Sequence, residues 1–144
     1  MALAALAKNA DREMEAAQRR WAGLSKECAA GRQKLVLLRQ YNDGYRAQLD
    51  AGARQGLPAG QAVAIAAFMR RIAEIVAVEE VRVRQLEETA EREWLRLVEA
   101  RRHCRMIDVL IDRDAQKKVE AELRRSQREI DDLLGRAGAL TRLR

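Results

Sequence analysis

The sequence predicts an all-α protein: two long helices folded back on each other as an antiparallel coiled-coil hairpin, the second overhanging the first. Three observations carry that expectation. Ala, Leu, Arg and Glu dominate the 144 residues, charged residues make up 35% of them, and there is one proline. That is the composition of long helices rather than of a turn-rich globular core. Apolar residues recur at alternating steps of four and three, and a single Gly- and Pro-bearing break divides that pattern in two. One domain over residues 1–144 is expected at this length.

Helix 1, over about residues 2–50, follows from its spacing. Leu3, Ala7, Ala10, Met14, Ala17, Trp21, Leu24, Cys28, Gly31, Leu35, Leu38, Asn42, Tyr45 and Leu49 form an unbroken series. None of the fourteen is charged, and only Gly31 and Asn42 lack an apolar side chain. Charges crowd the positions between them. This is a coiled-coil seam, and a seam needs a second helix.

The break is AGARQGLPAG, residues 51–60, with three glycines and Pro58, a cluster that helix does not cross easily. Helix 2, over about residues 61–137, resumes the pattern with Ala62, Ile65, Met69, Ile72, Val76, Glu79, Val83, Leu86, Ala90, Trp94 and Leu97. The consecutive four-steps from Leu86 to Ala90 to Trp94 predict a stutter that locally unwinds the supercoil.

A short connection makes the helices antiparallel neighbours. A register in which facing residue numbers sum to about 111 pairs Leu38 with Ile72, Gly31 with Glu79, Cys28 with Val83, Trp21 with Ala90 and Ala17 with Trp94. Each tryptophan then faces an alanine and Glu79 faces Gly31, large against small as close packing requires. The same register separates Cys28 from Cys104 by roughly 30 Å at helical rise, so both are expected as reduced core thiols of a cytosolic protein.

Beyond the end of helix 1 the second helix has 36 residues still to run, about 54 Å if helical throughout. Ile111, Ala115, Val119, Leu123, Ile130, Leu133, Leu134 and Ala137 recur there at helical spacing, with Arg124, Arg125, Arg128, Glu129, Asp131 and Asp132 between them. Such a stripe on an unpaired helix is expected to be covered by a partner. Gly135 and Gly138 predict fraying near the end.

Net charge is +6 and uneven: residues 1–50 carry nine basic and six acidic side chains, 51–100 seven and eight, and 101–144 twelve and eight. In a hairpin both basic segments meet at the end carrying the termini, where they either steer an acidic partner or form a solvated face. Nucleic-acid binding is disfavoured because acids interleave with the bases from Arg96 to Arg128 and no aromatic accompanies them. The longest apolar run, Ala62–Met69, is eight residues, too short to span a bilayer. The start, MALAALAKNADRE, has no basic n-region, so no signal peptide is expected and a cytoplasmic protein is.

Catalysis is not expected. The one histidine, His103, lies among Arg101, Arg102 and Arg105 and reads as a surface residue. No Cys or carboxylate spacing implies a metal site, no phosphate loop is present, and no cofactor is called for. Glu79–Glu80, Glu87–Glu88 and Asp131–Asp132 are pairs of the kind common on solvated helices.

The aromatics carry more information. Trp21 and Trp94 read as core. Tyr41, Tyr45 and Phe68 fall together near the loop end, Tyr45 on the seam and the other two flanking it. Exposed aromatics on an Ala- and charge-rich surface suit a protein-binding hot spot; capping of the last packing layers accounts for them equally well.

The run Leu35-x-x-Leu38-x-x-Tyr41-Asn42-x-Gly44-Tyr45-Arg46-x-x-Leu49 resembles the end of the first helix in the FliJ family of flagellar type III export proteins. Phe68-x-x-x-Ile72, the stretch bearing Trp94, and Val109-Leu110-Ile111-Asp112-Arg113 continue the resemblance over nearly the whole chain. It implies a non-enzymatic fold like the coiled-coil stalk of the ATP synthase γ subunit. Its implied partners are the hexameric export ATPase, FliI, and the cytoplasmic domain of the export-gate membrane protein, FlhA, with export chaperones a further role it permits.

By the same resemblance Leu38, Tyr41, Tyr45, Phe68 and Ile72 would contact the gate; Lys34 and Glu79, where that patch would continue, are charged. The overhang, with Ile111, Val119, Leu123, Arg124, Arg125, Arg128, Ile130 and Leu133, would enter the ATPase ring. The implied location is cytoplasmic, peripheral to the inner membrane at the flagellar base. Three alternatives stand beside this reading: the equivalent stalk of a virulence-type injectisome, a generic homodimeric coiled-coil scaffold, and a basic nucleic-acid-binding protein.

Overall fold

A computed structural model describes residues 2–142. Two helices account for nearly all of them: α1, Ala2–Gln55, and α2, Ala59–Arg142. They pack against each other antiparallel, as the two seams predict.

The connection is tighter than the expected 51–60. Among the described residues only 56–58 lie outside helix, because the glycines act individually rather than as a breaker cluster. Gly56 adopts φ +83°, the left-handed conformation that ends helices and that a Cβ opposes. The Leu57 amide then donates back to the Gly52 carbonyl at 2.7 Å, capping α1. A Cβ on Gly52 would lie 2.8 Å from that of Leu57, so the turn needs glycine there for close approach and at 56 for conformation. The Pro58 carbonyl accepts from the Gln61 and Ala62 amides at 3.0 and 3.1 Å, opening α2 at the residue whose φ is already fixed for it.

The chain divides into two compact units: residues 15–99, and residues 1–14 with 100–144. In the first unit the seam residues Ala17, Cys28, Gly31 and Leu35 of α1, and Ile72, Val83 and Leu97 of α2, are buried. Leu97 has no exposed surface, which stabilises by about 1.5–3 kcal/mol.

The register differs from the expected sum of about 111. Arg20 meets Glu93, Lys34 meets Glu79 and Tyr45 meets Phe68, each pair summing to 113. Gly31 meets Val83 (114) and Trp21 meets Trp94 (115). The helices are thus offset by about three residues, close to one turn. A Cβ on Gly31 would sit 2.6 Å from Val83 Cγ2 and 3.5 Å from Glu79 Oε1, so Gly31 is where Val83 closes the gap.

This offset also overturns the tryptophan layers and the stutter. The two indoles pack on each other, centroids 5.0 Å apart and tilted 51°, rather than each against alanine. Trp94 is 39% exposed while Glu93 is 9% exposed, so the seam runs Ala90, Glu93, Leu97 and the alternation of three and four is unbroken. A charge occupies the seam because it is neutralised there: Glu93 pairs with Arg20 at 3.2 Å and Arg96 at 3.0 Å. Glu79 repeats the arrangement two heptads earlier, with Lys34 at 3.7 Å and Arg82 at 2.9 Å.

In the second unit Ala10 and Ile107 are buried, and Leu3, Ala7, Met14, Cys104 and Ile111 are half-buried. Both cysteines are free. The helix does not fray at Gly135 and Gly138 as expected; it continues to Arg142, where the Thr141 hydroxyl donates to the Ala137 carbonyl at 2.8 Å.

Candidate functional surfaces

Each unit carries one candidate surface. In residues 15–99, α1 and α2 flank their seam with two unlike edges. One is closed by charge: Arg39 pairs with Glu80 at 2.6 Å and Arg32 with Glu87 at 2.8 Å. These are the positions beside the seam where coiled coils place inter-helix ion pairs. The other edge is apolar near the turn. Tyr41 and Phe68 are 61% and 50% exposed, and the Phe68 ring meets that of Tyr45 edge-on, centroids 5.2 Å apart.

Of the five residues expected as a docking patch, the structure thus exposes Tyr41 and Phe68. Leu38 and Tyr45 are half-buried behind them, and Ile72 is buried in the core. Glu79 is also buried, its carboxylate engaged by Lys34 and Arg82. Sequence reasoning missed Leu37, Ile75 and Val78, exposed on the same side. The signal was available: apolar residues one step off the seam, where charge is usual.

In the other unit, α2 beyond Ile111 is exposed throughout. Val119, Leu123, Ile130, Leu133 and Leu134 are each more than half exposed. Continuing the heptad seam past Ile111 leads to Asp114, Lys118, Ala121, Arg125, Arg128 and Asp132, so the frame that α1 could follow ends there. The apolar residues take another period instead: Val119 and Ile130, and Leu123 and Leu134, are each eleven residues apart. Eleven residues in three turns is close to the helix's own repeat, so this stripe runs almost straight along the axis. At 100° per residue, Lys117, Arg124 and Arg128 project to the opposite side. The helix is apolar on one side and carries charge of both signs on the other, Asp114 and Asp132 included, with Lys118 and Asp114 paired at 3.3 Å.

Cys104, half-buried in the same unit, has its thiol pKa raised, first by burial and then by the neighbouring Asp11 carboxylate, which also accepts its hydrogen bond, with Asp108 and Glu13 adding to it. Among the described residues no group of three His, Cys, Asp or Glu side chains is placed to hold a metal ion. None of the described helices is long and apolar enough to cross a membrane.

One unit is a two-helix coiled coil with an apolar edge near its turn and the other carries an uncovered amphipathic helix, which defines the class as all-α coiled-coil proteins. The model of the flagellar FliJ protein family matches residues 1–141, and the chain belongs to that family. It is thereby placed among the components of flagellar type III protein export. No curated protein and no solved structure matched the chain.

Proposed function

We propose that this chain is a stalk and adaptor of the flagellar export machinery, entering the hexameric export ATPase ring by its overhanging helix and contacting the export gate by its apolar edge. The observation that supports this most directly is the two-sided helix beyond Ile111. Val119, Leu123, Ile130 and Leu134 leave a straight apolar stripe uncovered, and such surface is normally buried in an assembly.

The opposed charged side chains make the helix unequal around its axis. A helix of this kind inside a symmetric ring meets some subunits with apolar surface and others with charge. Its differential contacts then favour different subunit states, which is the requirement for allosteric coupling. On this reading the ATPase does the chemistry, and the chain promotes assembly of the ring and biases its turnover. At the other surface Tyr41 and Phe68 supply the aromatic anchors for the gate, with Leu38, Tyr45 and Ile72 supporting them from beneath. The chain would then work in the cytoplasm, at the inner membrane beneath the flagellum, and in flagellar motility.

The test is ATP hydrolysis and ring assembly by the cognate export ATPase, with the full chain and with a chain ending at residue 111. Stimulation by the full chain and its loss with the shortened chain is the expected outcome. An unchanged rate with both would sink the stalk reading.

A rival coiled-coil scaffold, in which two overhangs zip together by heptads, is disfavoured by Asp114, Lys118, Arg125, Arg128 and Asp132 at the continued seam positions. Sedimentation separates the two, since the scaffold requires a tight dimer.

A further inference from the structure

We propose that the apolar edge of the 15–99 unit, bearing Leu37, Tyr41, Phe68, Ile75 and Val78, is a seat for one amphipathic partner helix whose flanking residues are acidic. The proposal rests on reading Tyr41 and Phe68 as a docking surface and goes further, to the form and charge of what docks.

The form follows from what the edge offers. Both of its ridges are helices whose backbone groups bond within themselves, so no free N–H or C=O row exists for an added strand. The apolar side chains instead lie along two parallel lines, Leu37 and Tyr41 on α1 and Phe68, Ile75 and Val78 on α2. From Phe68 to Val78 the line runs about 15 Å at helical rise, some three turns of a docked helix. Gly44, with nothing within 4 Å of its Cβ position, and Ala64 keep this side of the helices low. A third helix can therefore approach closely and bury its own apolar face against the exposed residues.

The charge follows from the rim. Lys34, Arg71 and Arg82 border the apolar lines. The acids beside them are Glu74, which is exposed, and Glu79, which is buried with both oxygens engaged by Lys34 and Arg82. The exposed rim is left net basic. On the opposite edge Arg39 and Arg32 pair one to one with Glu80 and Glu87. A helix with acidic flanks complements the first edge and a lysine-flanked one does not.

Two 20-residue helical peptides test this. They share one Leu/Ile face at i, i+3, i+4 and i+7; one is flanked by Glu and the other by Lys. Binding to the full-length chain is measured by fluorescence anisotropy, and the purified cytoplasmic domain of the export gate is titrated in parallel. The Glu-flanked peptide is expected to bind at least tenfold more tightly than the Lys-flanked one. An Ile75→Glu/Val78→Glu chain should lose that binding, and Val81→Glu, on the outer surface of α2, should keep it. Far-ultraviolet circular dichroism establishes that each variant is folded.

Equal affinity for the two peptides, or binding that survives Ile75→Glu/Val78→Glu, overturns the proposal. Gate binding that is lost with Tyr41→Ala but survives Ile75→Glu/Val78→Glu also overturns it while leaving the docking reading intact. Peptide binding as described, with no binding of the gate domain, supports the seat and removes the gate as its occupant.

Discussion

Replacing Gly31 by alanine tests the packing register at a single atom. Helix-interior glycine costs about 0.8–1.0 kcal/mol relative to alanine, so with open space the substitution stabilises by that amount. The space is closed: the new Cβ would lie 2.6 Å from Val83 Cγ2, and valine in a helix has essentially one rotamer to offer. Overpacking of this kind costs about 1–3 kcal/mol, so Gly31→Ala is expected to destabilise by about 1 kcal/mol net.

The decisive arm is the same substitution in a Val83→Ala background. Val83→Ala alone should cost about 2 kcal/mol from lost methyl burial and the space left behind. With the clash gone, Gly31→Ala should there stabilise by about 1 kcal/mol, a reversal of sign and a coupling of about 2 kcal/mol between the two sites. Urea unfolding followed at 222 nm measures all four proteins. Stabilisation of about 1 kcal/mol by Gly31→Ala in the otherwise unchanged chain would refute the reasoning. Gly31 would then face something able to yield, such as the long Glu79 side chain that a sum near 111 puts opposite it.

Three further outcomes are expected. Glu93→Leu should stabilise by about 1 kcal/mol in the same assay, since an apolar side chain on the seam replaces a buried charge while Arg20 and Arg96, both more than half exposed, return to water; a loss of similar size would make these ion pairs net contributors. Alkylation of Cys104 by iodoacetamide in a Cys28→Ser chain should rise with pH later than for a free cysteine, with Asp11→Asn moving it partly back. Because its folded pKa is raised, the associated stability is present below the ordinary thiol pKa and is lost as pH rises through the folded value. Tyr41→Ala/Phe68→Ala should cost only about 0.5–1.5 kcal/mol, mainly the Tyr45–Phe68 ring contact, yet abolish gate binding in a pull-down; loss of fold would make these rings core instead.

Much of the fold was legible because one period governs it. Of the fourteen seam residues read from α1, each is buried or half-buried, since a helix repeating every 3.6 residues leaves a four-three alternation only one face to occupy. The docking edge was only partly legible. Tyr41 and Phe68 stand out as aromatics off the seam, but Ile72 has the same chemistry on the seam and is buried. Whether Ile75 and Val78 share an edge with Tyr41 depends on how the helices are offset.

The sequence by itself determined the helices, their apolar seams, the reversal at Gly56 and Pro58, and the uncovered stripe beyond Ile111, all local consequences of spacing and backbone preference. Only the tertiary structure decided the register, because displacing one seam along the other by a turn still lays apolar side chains against apolar side chains. It likewise decided which of two adjacent residues, Glu93 or Trp94, occupies the seam. Hydrophobicity favours the tryptophan, but Arg20 from the facing helix and Arg96 one turn along neutralise the carboxylate, and Trp94 gains the Trp21 ring from the flank. That choice depends on a residue 73 positions away in sequence, which no local pattern contains.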